Sequence, residues 1–161
     1  MLQKVEIFQG LSPEELAVLE SSSTSRSFPK NTVVIHENDP ADSLFVIESG
    51  KVKVYCSDKN GKEFIMNTQG AGDYFGELAL LDDSPRSATV IARMDCKMLG
   101  FFQSDLLDLI ERTPRLGVKI VMRLLTVIGE RLKKSNEQVQ ALQIKLYNLK
   151  QKRQNIAGSG S

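Results

Sequence analysis

The chain has 161 residues, 41% apolar and 25% charged, with a formal net charge of +1, the profile of one compact soluble domain with an extension rather than of two ordinary domains. No apolar run approaches the roughly 20 residues that cross a bilayer, the N-terminus lacks a signal peptide's basic-then-apolar pattern, and a cytoplasmic protein without membrane contact is expected. One histidine, His36, and two well-separated cysteines, Cys56 and Cys96, give a zinc or iron site and a Ser/His/Asp hydrolase little support, and the cysteines read as buried free thiols in a reducing compartment.

Ser12-Pro13-Glu14-Glu15 forms a capping box with proline at the first helical position. The short helix it opens, LAVLE, dies in the polar stretch 21–25. From Arg26 to Phe102 the pattern changes to period two broken by turns. NTVVIHE, DSLFVIESG, KVKVYCS, KEFIMNTQ, RSATVIAR and CKMLGFF read as strands, separated by Asn38-Asp39-Pro40, Glu48-Ser49-Gly50, Asp58-Lys59-Asn60-Gly61 and Gly70-Ala71-Gly72. Asn60-Gly61 is the strongest hairpin signal, because both residues tolerate positive φ. About eight short strands at this spacing predict a protein that is mainly β with flanking helices, a small antiparallel sandwich or jelly-roll-like β-barrel.

Within this body lies GDYFGELALLDDSPRSATV, residues 72–90. A helix starting at Gly76-Glu77-Leu78-Ala79-Leu80 would offer unpaired amides and the positive end of its dipole to an anion, and Gly76 would let a ligand come close. Arg86 could supply a two-pronged fork to a phosphate and Ser87 a hydroxyl donor. Glu77 suits hydroxyls such as those of a ribose. The equally simple reading is a structural Glu77–Arg86 ion pair under a loop, and spacing alone does not choose. The segment lacks both the dinucleotide GxGxxG spacing and the GxxxxGK[ST] P-loop.

Gln103-Ser104-Asp105 opens a further helix that closes at Thr113-Pro114, so that residues 1–113 form the body. A long helix is expected over residues 114–157, with Gly117 and Gly129 as weak points and residues 158–161 as a flexible tail. Ile128, Leu132, Ser135, Val139, Leu142, Leu146 and Leu149 recur at alternating steps of four and three, a heptad seam sustained for three repeats. A small barrel cannot cover such a stripe with its own helix, so a homodimer through residues 116–149 is expected; packing of the stripe back on its own body is the alternative. Ser135, followed by Asn136, interrupts the seam, and a polar residue there fixes register or meets a ligand. Through Glu111 there are ten basic and eighteen acidic residues, and from Arg112 onward eleven basic and two acidic. That asymmetry reads either as a solvated helix face or as a contact with an acidic surface, nucleic acid or the protein's own body.

FGELALLDDSPRSATV resembles the phosphate-binding cassette of the cyclic-nucleotide-binding domain of the catabolite activator protein and FNR superfamily. DPADSLFVIESGKVKVY is similar to that family's strand–glycine–strand segment, and ARMDCKMLGFF to its last strands before the dimer helix. The resemblance covers residues 5–146. It implies that Glu77 accepts from the ribose 2′-OH, that Arg86 and Ser87 hold the cyclic phosphate, and that amides near Gly76, Leu78 and Ala79 assist. It further implies base contacts from Ser135 and Asn136, if one extra helical turn is allowed upstream, and cAMP or a related cyclic mononucleotide as the ligand. No cofactor, metal or catalytic residue is implied, and DNA would be reached only through a winged helix-turn-helix that this chain lacks. Asn38 stands where the family often has glycine, and asparagine shares glycine's tolerance of left-handed backbone. A ligand-free dimerisation or scaffold module is the competing expectation.

Overall fold

The structure, a computed structural model, describes residues 1–158; the rest of the tail expected at residues 158–161 lies outside the described residues. Ser12 caps the first helix as its sequence predicts. Its hydroxyl accepts the Glu15 amide at 3.2 Å and Glu15 returns a carboxylate to the Ser12 amide at 2.9 Å. The helix, α1, runs Pro13–Ser22, further than expected; in its last turn the hydroxyls of Ser21 and Ser22 bond back to the Val18 carbonyl, local bonding that competes with further helix. Before it, two 3-10 turns, Leu2–Lys4 and Glu6–Phe8, bury Leu2, Val5, Ile7 and Phe8. These turns carry no signal in the sequence, being too short for a period.

Among the described residues, eight strands form two four-stranded antiparallel sheets. One has the order β1 (Thr24–Phe28), β8 (Cys96–Phe102), β3 (Ser43–Ser49), β6 (Tyr74–Phe75); the other β2 (Val33–Ile35), β7 (Thr89–Ala92), β4 (Lys51–Ser57), β5 (Glu63–Gly70). Phe45, Ile47, Val52, Phe75, Val90, Ala92, Cys96 and Met98 fill the space between the sheets. Leu44, Val46, Leu99 and Phe101, on the other face of β3 and β8, are buried too, with Phe8 of the N-terminal turn in ring contact with Phe101. Covered on both sides, β3 reads as the unbroken run LFVI rather than as an alternation. The strand β1, TSRSF, is an exposed edge with almost no apolar signal, and its start falls inside the stretch that the sequence assigned to a loop.

The hairpin β4–β5 turns where expected, but Gly61 alone takes a positive φ (+80°). Asp58 organises the turn instead, its carboxylate accepting from the amides of Asn60 and Lys62. Both cysteines are free thiols, Cys96 buried and Cys56 only partly so. Gly50, between β3 and β4, has φ +98°, and an added Cβ would sit 2.5 Å from Cys96 Sγ and 2.6 Å from the Asp95 carbonyl. Gly50→Ala therefore combines a forbidden backbone with a clash against main chain, and a loss of about 3 kcal/mol or more is expected in urea unfolding. An unchanged midpoint would contradict this turn geometry.

Helix α2 spans Gln103–Arg112 and helix α3 Pro114–Gly158. The described chain groups into two compact units, Met1–Arg123 and a second from Leu124 on. In the first, Gly117 is no weak point: a Cβ there would lie 2.6 Å from Ile110 Cγ1, so glycine is what lets α3 approach α2. In the second, Leu132, Val139, Leu142, Leu146 and Leu149 are all exposed along one continuous helix. Among the described residues no helix is long and apolar enough to cross a membrane.

Candidate functional site

Strand β6 delivers the chain to Gly76, which is left-handed (φ +83°, ψ 20°), and Glu77–Leu80 then make a single 3-10 turn. The α-helix expected here does not form. Leu81 and Asp82 both donate to the Leu78 carbonyl, and Asp82 immediately captures the amide and hydroxyl of Ser84, local bonding that competes with further helix. Four residues align too few peptide dipoles to act as an anion-attracting terminus. The Ala79 amide, expected to assist a phosphate, already donates to the Gly76 carbonyl at 3.1 Å. Ala79 and Leu80 are buried and fix the turn, whereas Leu78 is exposed. Leu80 lines a small apolar cavity of about 20 Å³ with Phe8, Leu19, Leu106 and Leu109, which ties the turn to α2.

Arg86 stands just before β7 and is held at both ends of its peptide. Its amide donates to the Asp39 carbonyl at 2.9 Å and its carbonyl accepts from the Asn38 amide at 2.8 Å. Asn38 does adopt the left-handed conformation (φ +69°). The side chain is only 6% exposed. Nη1 donates to the Ser43 carbonyl at 2.6 Å and Nη2 to the Ser43 hydroxyl at 2.9 Å. The carboxylate facing the guanidinium is that of Asp42, 3.9 Å from Nη2 and 74% exposed, with the Ser43 hydroxyl bridging to it at 2.9 Å. An ion pair so long and so wet contributes little. Burial pushes the guanidinium's pKa down, and the carboxylates of Asp42 and Asp39 oppose that shift.

Gly76 and Arg86, ten positions apart, meet in space. A Cβ on Gly76 would lie 2.6 Å from Nη1 and 2.8 Å from the Ser43 carbonyl, so glycine is required for the guanidinium to occupy its place as well as for the backbone. Glu77 is partly buried directly after Gly76, and Ser87 is exposed directly after Arg86. Ser135 and Asn136 are exposed positions of the second unit. A cleft of about 280 Å³ reaches Arg86 and is lined also by Arg26, His36, Asp42, Ser43 and Phe102.

Asp42 and Ser43, the groups that hold Arg86, were not singled out by sequence. They lie 44 and 43 positions upstream, in the DPADS turn, and nothing local in the sequence couples that turn to Arg86. The only trace is the run of turn-formers from Asn38 to Ser43, denser than a simple strand connection needs.

The family model described as cyclic nucleotide-binding domain matches residues 25–113. The chain is 30% identical over 151 residues to the cyclic AMP receptor protein of Thermus thermophilus, covering 94% of this chain and 66% of that one. It is 38% identical over 97 residues to a cAMP-dependent protein kinase regulatory subunit of Aspergillus niger, covering 60% and 23%. Among solved structures, the catabolite activator protein of Thermus thermophilus superposes with a TM-score of 0.78 at 31% identity, over 85% of this chain and 62% of that one. The chain thus spans less than two thirds of the length of these relatives.

Proposed function

The chain belongs to the cyclic nucleotide-binding domain family, and on that footing we propose that it is a sensor module that takes a cyclic mononucleotide, cAMP first, at Gly76, Glu77 and Arg86. The observation that carries this reading is Arg86: a buried cation whose close partners are the neutral carbonyl and hydroxyl of one serine. Such a group is desolvated without full compensation, and a phosphate, matched to its fork in both geometry and charge, is the partner it lacks. Ser87 adds a hydroxyl at the exposed side. Leu78, Gly76 and Ala79 shape the turn, the Ala79 amide serving its closure rather than the ligand.

Glu77 is assigned to the ribose 2′-OH. Glu77→Gln is expected to weaken cAMP binding about tenfold, the worth of one charge-assisted hydrogen bond, and to erase the wild-type preference for cAMP over its 2′-deoxy analogue. Isothermal titration with the two ligands measures both; a wild type indifferent to the 2′-OH would remove the role given to Glu77.

The module is proposed to act as a homodimer through residues 116–149, with Ser135 and Asn136 meeting the base, and to report ligand through α2, against which Leu80 already packs. The relatives are named as regulators, which supports binding rather than catalysis. A cytoplasmic setting and a link to transcription are proposed on the same likeness. A second reading, a ligand-free scaffold, draws on the fact that Arg86 already has Ser43 for both prongs. A thermal-shift panel of cyclic mononucleotides, cyclic dinucleotides and linear AMP separates the two. A ligand at a hundred times its Kd raises stability by about 2.7 kcal/mol, so a sensor gives a clear upward shift with a cyclic mononucleotide, and a scaffold gives none with any compound.

A further inference from the structure

The end of α3 has a property that self-association does not explain. In the heptad frame set by Ile128, Leu132, Ser135, Val139, Leu142, Leu146 and Leu149, the positions flanking the seam at its far end are Lys145, Lys150 and Lys152, and the next seam position itself is Arg153. From Gln138 onward the sequence contains no aspartate or glutamate. The last two carboxylates, Glu130 and Glu137, fall on the side of the helix away from the seam. The seam leucines and valine from 132 to 149 are between 49% and 65% exposed, and Lys145, Lys150, Lys152 and Arg153 are exposed beside them.

Two parallel copies would set Lys145 of one chain beside Lys150 of the other on both flanks, and Arg153 against its own mate inside the seam. Two antiparallel copies fare no better, since no carboxylate flanks the seam anywhere. Apolar seam positions draw helices together, while flanking charges choose the partner and exclude the wrong one. The proposed self-pairing is therefore carried by the heptads before Lys145 and is opposed after it. Ile144 and Tyr147 are exposed too, but at heptad positions on the side of the helix away from the seam, so the apolar residues do not merge into the broad single face with which a helix lies on a lipid surface, and apolar seam positions have no use on a nucleic-acid backbone.

We propose that residues 138–156 are a docking surface for an acidic helix of another protein, which there takes the place of the second copy and has apolar residues at heptad spacing and glutamate or aspartate on both flanks. Val139, Leu142, Leu146 and Leu149 supply the apolar contact, and Lys145, Lys150, Lys152 and Arg153 the selection by charge. This does not depend on the nucleotide reading.

The test uses the full chain and two synthetic helical peptides of three heptads with identical leucine seams, one flanked by glutamate and one by lysine. Fluorescence anisotropy is expected to show the acidic peptide bound at least about tenfold more tightly than the basic one, the preference shrinking as salt screens the flanks. The variant Lys145→Glu/Lys150→Glu/Lys152→Glu/Arg153→Glu, changed only at exposed positions, is expected to reverse that order. Equal binding of both peptides, binding of neither, or a preference unmoved by the fourfold reversal would overturn the proposal. So would sedimentation showing a self-associated form that salt does not strengthen and acidic peptide does not enter, or binding to vesicles containing phosphatidylserine in place of the peptide.

Discussion

Arg86→Ala is expected to weaken cAMP binding by about two orders of magnitude or more while the protein remains folded. The guanidinium is buried and bonded to Ser43, so its removal leaves one carbonyl of β3 short of a donor; the Ser43 hydroxyl keeps Asp42. The stability cost is that of a buried acceptor left without its donor, about 1–3 kcal/mol, readable as a fall in Tm. In the complex the loss is of another order. A phosphate brought to the same place would be an anion taken from water with no cation to meet it, and breaking a buried charge pair in this way costs about 3–5 kcal/mol. Arg86→Lys keeps the charge but not the fork, and affinity between those of wild type and Arg86→Ala is expected. Titration calorimetry showing near wild-type affinity in a folded Arg86→Ala protein would remove the phosphate from this site.

Gly76→Ala tests the same site from the other side. The backbone there is left-handed, which costs an alanine about 1 kcal/mol relative to glycine. The added methyl would also lie 2.6 Å from Arg86 Nη1 and 2.8 Å from the Ser43 carbonyl, and the carbonyl belongs to a strand with nowhere to go. Either the guanidinium leaves or β6 shifts. A combined loss of about 2–3 kcal/mol in stability is expected, together with at least a tenfold loss in cAMP affinity. Gly76→Asn separates the two causes, because asparagine accepts the backbone but brings the same Cβ. If Gly76→Asn bound cAMP as wild type does, the close approach to Arg86 would carry no weight.

What the sequence conveyed and what it withheld follow from how each interaction is encoded. Strands β2, β4, β5, β7 and β8 announce themselves through strand-like runs bounded by turn residues and β3 through its apolar run LFVI, whereas the two-residue β6 is too short to show any period; the capping box of α1 is spelled out within four letters. The edge strand β1 pairs with β8 through its main chain, which any side chain permits, and TSRSF therefore gave no sign of it. The cassette was legible because Gly76 and Arg86 are each unusual in their surroundings. The form of the turn was not, since FGELALL suits an α-helix locally and is stopped at Asp82 by a side chain that bonds Ser84. The partner of Arg86 was missed for a different reason. Spacing offers Glu77, nine residues away, as an ion-pair partner without choosing it, whereas the fold brings Asp42 and Ser43 from the beginning of β3 to the guanidinium, and only the pairing of whole strands decides that.

Everything assigned to the cassette rests on Arg86 exchanging Ser43 for a phosphate. The crystal structure of the chain grown with cAMP measures this directly. The account predicts two phosphate oxygens on the Arg86 guanidinium at the short distances of charge-assisted bonds, about 2.7–2.9 Å, with Glu77 at the ribose hydroxyl. A nucleotide bound elsewhere, with Nη1 still on the Ser43 carbonyl and Nη2 still on its hydroxyl, would contradict it.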